Sequence, residues 1–544
     1  MITTGSLTLR RNNKLLWIMP VAFMGVVFYF PLLEVLQIGF GGHLNGSNAS
    51  EISVWPVLWF TLWQAVVSTG ICLLIGIPAA YIFYRRSFRG VNLIRSLITV
   101  PFMLPSLIVA MAIIEMGRPF GGFDPVVAII LANVFANFAV VVRTVGSQWQ
   151  TLADNTEEEA ELNGSGRLST ALRISLPQLA TSIRSSSAII VLYCASSYGI
   201  VLSLGGGRVN TLETAISVSV LQRLDLEHGA TLALLQVAFT IAAFTASRWG
   251  GANPLSFEPG HGKAQKLDRR DLLAATYTFT ITAFLVIIPL VMVFAKAFLD
   301  GAGNLTLDNF LLLDGRGYRD LLNISFLEAG FNSLRNLVVS TLIAMFIGGL
   351  ASYLLAERTR KRRKRKDPNG IVLDAIFLLP IGVSSVVLGL GYLISLNGNL
   401  AELRPQWFLV PLVQSVFAVP MVIRVLYPAL ISIDSAPREQ AMTDGANSLG
   451  VFYFIDLALI GPAVKTAVAF SALVSLGEFG VASLLSYGDQ STVPMLLYQL
   501  IARPGNNNYE MALAVAAILF VITTLVVLWV SRDTRVSRKR RAKR

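Results

Sequence analysis

Apolar runs of roughly 20 residues, the length a helix needs to cross a bilayer, recur along this chain. They lie near 15–40, 56–84, 92–115, 125–147, 184–204 and 229–247, then near 274–298, 332–356, 371–396, 408–430, 464–486 and 511–531. Only helices and closed barrels satisfy their backbone groups in lipid, so runs of this length predict an all-α polytopic membrane protein with about twelve spanning helices. The polar stretches between them are uneven in charge. Basic residues crowd at Arg85, Arg86, Arg89 and Arg95, at Lys263, Lys266, Arg269 and Arg270, through 358–366, and through the tail 532–544. The stretch 41–56 has no Lys or Arg. Basic loops stay on the cytoplasmic side, which places every cluster and both termini inside. Arg10, Arg11 and Lys14 precede the first run. Its length and the lack of a small-residue cleavage site predict a first membrane helix rather than a removed signal peptide.

Two polar islands interrupt this pattern. The first reads Glu158-Glu159-Ala160-Glu161-Leu162-Asn163-Gly164 and continues to Ile174-Ser175-Leu176-Pro177. The second reads Glu439-Gln440-Ala441-Met442-Thr443-Asp444-Gly445 and continues to Ile455-Asp456-Leu457-Ala458, displaced throughout by 281 residues. Each predicts a short helix with a stop. Thr156 and Glu159 have capping-box spacing, Ser435 stands where a cap belongs, and Pro437 suits a first turn. Gly164 and Gly445 supply the left-handed residue that ends a helix. One such island reads as an ordinary solvated loop helix; two at one offset read as a duplicated surface.

The duplication extends further. Arg143, Gly199 and Thr211 match Arg424, Gly480 and Thr492 at 281; Gly76 and Tyr81 match Gly348 and Tyr353 at 272; Pro101 matches Pro380 at 279. The expected organisation is a first membrane domain over 1–250 with a cytoplasmic loop at 154–177, and a linker over 251–272. A second membrane domain over 273–531 has its loop at 434–458, and a basic tail covers 532–544. Both islands fall on the same face, so the six-helix repeats are parallel.

Composition changes the picture little. Of 544 residues, 54% are hydrophobic and 14% charged, against roughly 25% charged in soluble domains. The net charge of +12 is accounted for by topology, so nucleic acid is not an expected partner. Cys72 and Cys194 both lie in apolar runs and the three histidines, His43, His228 and His261, are scattered, so neither a metal site nor a catalytic constellation is expected.

The island pattern, Glu-x-Ala-x-x-x-Gly followed by Ile-x-Leu-Pro, resembles the cytoplasmic loop of ATP-binding-cassette (ABC) importer permeases. The resemblance covers both halves and implies the type I importer permease fold. It implies coupling helices that dock on ATPase subunits, with Glu158, Ala160 and Gly164 in the first loop and Glu439, Ala441 and Gly445 in the second. Glu159 and Gln440 depart from the motif's second alanine, and Ala458 from the proline seen at Pro177, which implies looser or asymmetric docking. The chain has no Gly-x-x-x-x-Gly-Lys-Ser/Thr phosphate loop. The energy source is then a separate ATPase, expected in two copies, and the solute arrives on an extracytoplasmic binding protein at a bacterial inner membrane. No cofactor is implied.

A finer resemblance is to the thiamine and ferric-iron permeases. It is carried by 195–207, by Thr211-Leu212-Glu213, by Ser475-Leu476-Gly477-Glu478-Phe479-Gly480-Val481, and by Val493-Pro494 with Leu497-Tyr498-Gln499. Thiamine stands ahead of iron as the implied solute. Glu478, an acid at membrane depth, reads equally as a pathway residue or as a packing acid bonded inside the bundle. Gly205, Gly206 and Gly207 form a loop or a gate at the outer mouth. Trp63 and Tyr198 stack on a cation or anchor the interface. The rival classes are an ion-coupled secondary transporter, for which paired inner islands are not expected, and a membrane enzyme, for which no active-site cluster exists.

Overall fold

The computed structural model describes every residue except 1–4, 42–52, 153–162, 249–264, 302, 318–321, 362–375, 397, 435, 448–449, 504 and 542–544. Among the described residues, 9 helices are long and apolar enough to span a membrane, or 11 if each of two bent pairs counts as one span. The expected run 92–115 is one of these pairs, not a straight helix. Val91–Met103 and Ser106–Phe120 meet at 106°. The cause is local: Leu104 precedes Pro105 and sits in the extended region at φ −71°, ψ 144°, because proline excludes the helical region for the residue before it. The run 184–204 bends by 50° at Ser196 and Ser197, both of which leave helical dihedrals. Of the expected run 371–396, the described part holds a turn at Leu379–Ile381 and a short helix at Ser385–Ser395.

Packing divides the chain into two compact units that cut across the two halves of the sequence. One comprises Gly42–Phe326 and Leu496–Thr524; the other comprises Met1–Gly41, Leu327–Met495 and Leu525–Arg544. Each unit therefore contains the opening membrane helix of the opposite half. In the first unit, Ile288–Lys296 packs on Ser106–Gly117. In the second, Phe30–Gly41 packs on Ser385–Ser395. That packing is close: a Cβ on Gly391 would stand 2.5 Å from the Pro31 carbonyl oxygen. Proline has no N–H, so Pro31 leaves the Val27 carbonyl without its helical partner. The Tyr392 hydroxyl donates to that carbonyl at 2.8 Å, which satisfies it inside the bundle.

The duplication reappears as repeated local geometry. Just before Pro31 and Pro289 the helices widen into π turns, Gly25–Tyr29 and Ala283–Ile287, at one common offset. A Cβ on Gly76 would meet Val141 Cβ at 2.7 Å, and one on Gly348 would meet Val422 Cβ at 2.9 Å, so both glycines let two membrane helices touch backbone to side chain. The Thr61 hydroxyl accepts the Leu212 N–H at 3.0 Å and the Ser333 hydroxyl accepts the Val493 N–H at 2.8 Å. In both cases the hydroxyl satisfies an orphan donor at the start of a short helix. Deeper in each unit a polar layer holds the bundle. Asn133 donates to Gln64 and Gln64 to the Cys194 carbonyl, both at 2.8 Å; Ser475 donates to Gln414, also at 2.8 Å. Positions 133 and 194 correspond to 414 and 475 at the offset of 281.

The linker's described end is pinned to the first unit. Gln265–Lys266 pairs in parallel with Arg86–Ser87, and buried Asp271 meets Arg86 Nε at 2.9 Å and the Tyr81 hydroxyl at 3.2 Å.

Candidate functional site

The second island is an eight-residue helix, Ala436–Thr443, with Pro437 in its first turn as expected; the expected cap, Ser435, lies outside the described residues. The helix ends as its glycine dictates. Gly445 takes φ +91°, its N–H reaches the Met442 carbonyl at 3.1 Å, and the Ala446 N–H reaches the Ala441 carbonyl at 2.9 Å. Glu439, Gln440 and Gly445 are exposed and Ala441 is half-buried. In the first island, Glu158 and Ala160, with Thr156 and Glu159, lie outside the described residues. Gly164 is described, exposed, and at φ +84°. A Cβ on either glycine would meet nothing within 4 Å, so the requirement for glycine is one of backbone conformation alone.

Behind each glycine the chain re-enters the bundle through a π turn, Ala171–Ser175 and Val451–Asp456, again 281 residues apart at their last residues. A π turn forms with Pro177 in one half and Ala458 in the other, five residues long in the first and six in the second, so the proline is not needed for it.

One feature of the second island is absent from the sequence reading. Arg438, third in the short helix, faces Asp456 with both ends of its guanidinium: Nε lies 2.5 Å from Oδ1, and Nη2 pairs with Oδ2. Its Nη1 also lies 3.4 Å from Glu357 Oε1 on the long helix Phe326–Lys361. Arg360 stands 3.8 Å from the same Glu357 oxygen and donates to the Leu430 carbonyl, near the end of Leu409–Ile431. The Asp456 side chain is 2% exposed and that of Arg438 11%. The signal available in sequence was a lone acid, Asp456, opening an apolar helix where the first half has Ser175.

The expected pathway residues are placed apart. Tyr198 is buried, and its hydroxyl shares a 2.8 Å hydrogen bond with Ser217. It starts the short helix Tyr198–Leu204, which runs into Gly205, Gly206 and Gly207. A Cβ on Gly205 would lie 2.6 Å from the Val201 carbonyl oxygen and 2.8 Å from that of Val209, and Gly206 and Gly207 take φ +56° and +71°. A cavity of about 320 Å³ adjoins this turn, lined by Ser203, Leu204, Arg118, Gly121, Gly122 and Phe123 among others. Trp63 is exposed on Val54–Ala80 in a stripe with Trp55 and Trp59, a spacing that suits an interfacial belt. Glu478 is 9% exposed. Both its carboxylate oxygens accept the Val481 N–H, at 3.0 and 3.1 Å, at the start of Gly480–Leu485, where the helix dipole favours negative charge. Gly480 is required there, since a Cβ would fall 2.1 Å from Ser385 Oγ.

No family model matches the chain. Among curated proteins it is 25% identical over 542 residues to the thiamine transport system permease protein ThiP of Brucella abortus, covering 95% of each. It is 24% identical over 496 residues to ThiP of Escherichia coli, covering 87% of this chain and 88% of that one. The molybdenum transport system permease protein ModB of Escherichia coli is 29% identical over 220 residues, which are 93% of that protein but 37% of this chain. Nearly all of that permease thus aligns within less than half of this chain. A solved bacterial ABC transporter that imports alginate aligns with 49% of this chain at 21% identity and a TM-score of 0.37. With paired left-handed glycine turns, repeated bundle geometry and similarity over nearly its whole length, the chain is an ABC importer permease of the fused two-half type.

Proposed function

We propose that this permease moves thiamine across a bacterial inner membrane, with both termini in the cytoplasm. Thiamine arrives on an extracytoplasmic binding protein, and two ATPase subunits drive transport by docking on the loops 154–177 and 434–458. Glu158, Ala160 and Gly164 of the first loop and Glu439, Ala441 and Gly445 of the second form the docking surfaces. The observation that carries the ATP-coupled reading is the pair of left-handed glycines, Gly164 and Gly445, at one offset behind polar stretches of sequence. Similarity to thiamine permeases over 95% of the chain supports the solute. Tyr198, Gly205, Gly206 and Gly207, in and after the short helix Tyr198–Leu204, are assigned to the solute pathway, and so is Glu478, which holds the start of Gly480–Leu485. Trp63 stands in the N-terminal half of Val54–Ala80, exposed like Trp55 and Trp59, and belongs to the surrounding belt.

The test is uptake by vesicles holding the permease with its ATPase, supplied with the binding protein, ATP and labelled thiamine. Proton and sodium gradients are collapsed throughout. Thiamine uptake that needs ATP and survives this treatment supports the proposal. Uptake that disappears with the gradients identifies an ion-coupled transporter, and ATP-driven uptake of ferric iron in place of thiamine reassigns the solute.

A further inference from the structure

We infer that Arg438, Asp456 and Glu357 form a clamp that makes the second coupling helix move as one body with the membrane helices above it. The inference rests on the ATP-driven reading and adds to it the residues that transmit the motion.

The backbone alone gives this helix a loose mounting. It is preceded by the non-helical residues 432–434 and followed by the left-handed turn at Gly445, so neither end continues a membrane helix. A push on a segment joined this way is absorbed in the joints, because dihedrals outside helices are the soft degrees of freedom. Side chains supply the missing brace. The two-pronged Arg438–Asp456 pair fixes distance and orientation together, as a planar guanidinium on a carboxylate does. Glu357 extends the brace to Phe326–Lys361, and Arg360 carries it from Glu357 to the last turn of Leu409–Ile431. Tyr353 packs edge-on against Phe452 with ring centres 5.2 Å apart, so the same long helix also touches the π turn that holds Asp456. The short helix is thereby tied to three others.

Stability does not explain this choice of residues. A nearly buried ion pair loses hydration that its mutual attraction only offsets, and apolar residues of similar volume serve a fold as well or better. What such a pair adds is a fixed geometry. Its residues also differ between the halves. At the matching positions of the first half, 281 and 272 residues earlier, Ser175 replaces Asp456 and Arg85 replaces Glu357.

The test uses the complete transporter, permease with ATPase and binding protein, in vesicles, and measures thiamine delivered per ATP hydrolysed. Asp456→Asn leaves the brace without its charge while keeping side-chain size, and Asp456 lies off the docking surface. The expected result is normal co-purification of the ATPase with transport per ATP lowered about ten-fold, the size of a typical coupling between sites. Glu357→Gln, at the longer and more exposed contact, lowers it about two-fold. Exchanging the pair, Arg438→Asp with Asp456→Arg, restores at least half of the ratio. Unchanged transport per ATP in Asp456→Asn overturns the inference. So does a loss of uptake that merely tracks a loss of complex, or a failure of the exchanged pair to rescue. A wild-type complex without ATP-dependent uptake defeats the functional reading instead, whatever the variants do.

Discussion

The two halves agree in backbone and disagree in charge. Each carries a left-handed glycine behind its island, a π turn re-entering the bundle, a glycine pressed against a valine between two helices, and a hydroxyl closing the start of a short helix. None of these depends on an ionised group. The charged fittings are individual. Asp456 and Glu478 stand where the first half has Ser175 and Ser197. Glu478 caps its short helix, whereas Ser197 donates to the Cys194 carbonyl at 2.8 Å and leaves the next helix without a side-chain cap. Duplication has kept the parts that set shape, and the halves differ in the parts that set stiffness and local field.

The largest expected effect tests whether the shape really is shared. Gly76→Val and Gly348→Val each force a branched side chain into Val141 or Val422, where a Cβ alone would already be at 2.7 or 2.9 Å. Overpacking between helices that cannot separate costs about 3 kcal/mol. Thermal unfolding of the purified protein in detergent should fall by a similar amount for the two variants. A large drop for one and none for the other breaks the equivalence of the halves.

Next come the turns. Gly164→Val and Gly445→Val meet no steric obstacle, but a residue with a Cβ costs about 1–2 kcal/mol in the left-handed region, and a branched one no less. The strain is relieved by re-aiming the segment before each glycine. The double variant should therefore lose the ATPase subunit on co-purification while the permease itself stays folded. Recovery of an intact complex removes the two turns from the docking surface.

The hydroxyl caps give a smaller effect. Thr61→Val and Ser333→Ala each orphan one buried N–H, of Leu212 or Val493, at about 1 kcal/mol each. Hydrogen exchange should rise in Leu212–Leu221 for the first variant and in Val493–Ala502 for the second. Exchange that rises in neither helix shows that the repeated contact does not hold these helices in place.

The apolar runs, the doubled islands and their glycine stops were all legible in the sequence, because they follow from length, hydropathy and local backbone preference. The bend at Pro105 was legible in principle: the residue before a proline avoids the helix, but an uninterrupted apolar run from 92 to 115 hid the break. The assignment of each opening helix to the opposite unit was not legible. Phe30–Gly41 and Ile288–Lys296 carry no pattern that names Ser385–Ser395 or Ser106–Gly117 as a neighbour. The clamp was hidden for the same reason. Arg438, Asp456 and Glu357 are ordinary loop and helix-end charges until the fold brings them within bonding distance.

The smallest effect separates two roles of one acid. Glu478→Gln keeps size and one good acceptor for the Val481 N–H but removes the charge, which at a helix start is worth about 0.5–1 kcal/mol. Glu478→Ala removes the cap as well, at about 1–2 kcal/mol. If the carboxylate serves to hold Gly480–Leu485, the glutamine variant retains most thiamine uptake and the alanine variant loses clearly more. A cation drawn by the charge itself would make the two variants equally poor. Both carboxylate oxygens already accept a backbone N–H, so the graded outcome is expected. It would leave Glu478 as the second half's means of fixing the helix that the first half leaves uncapped.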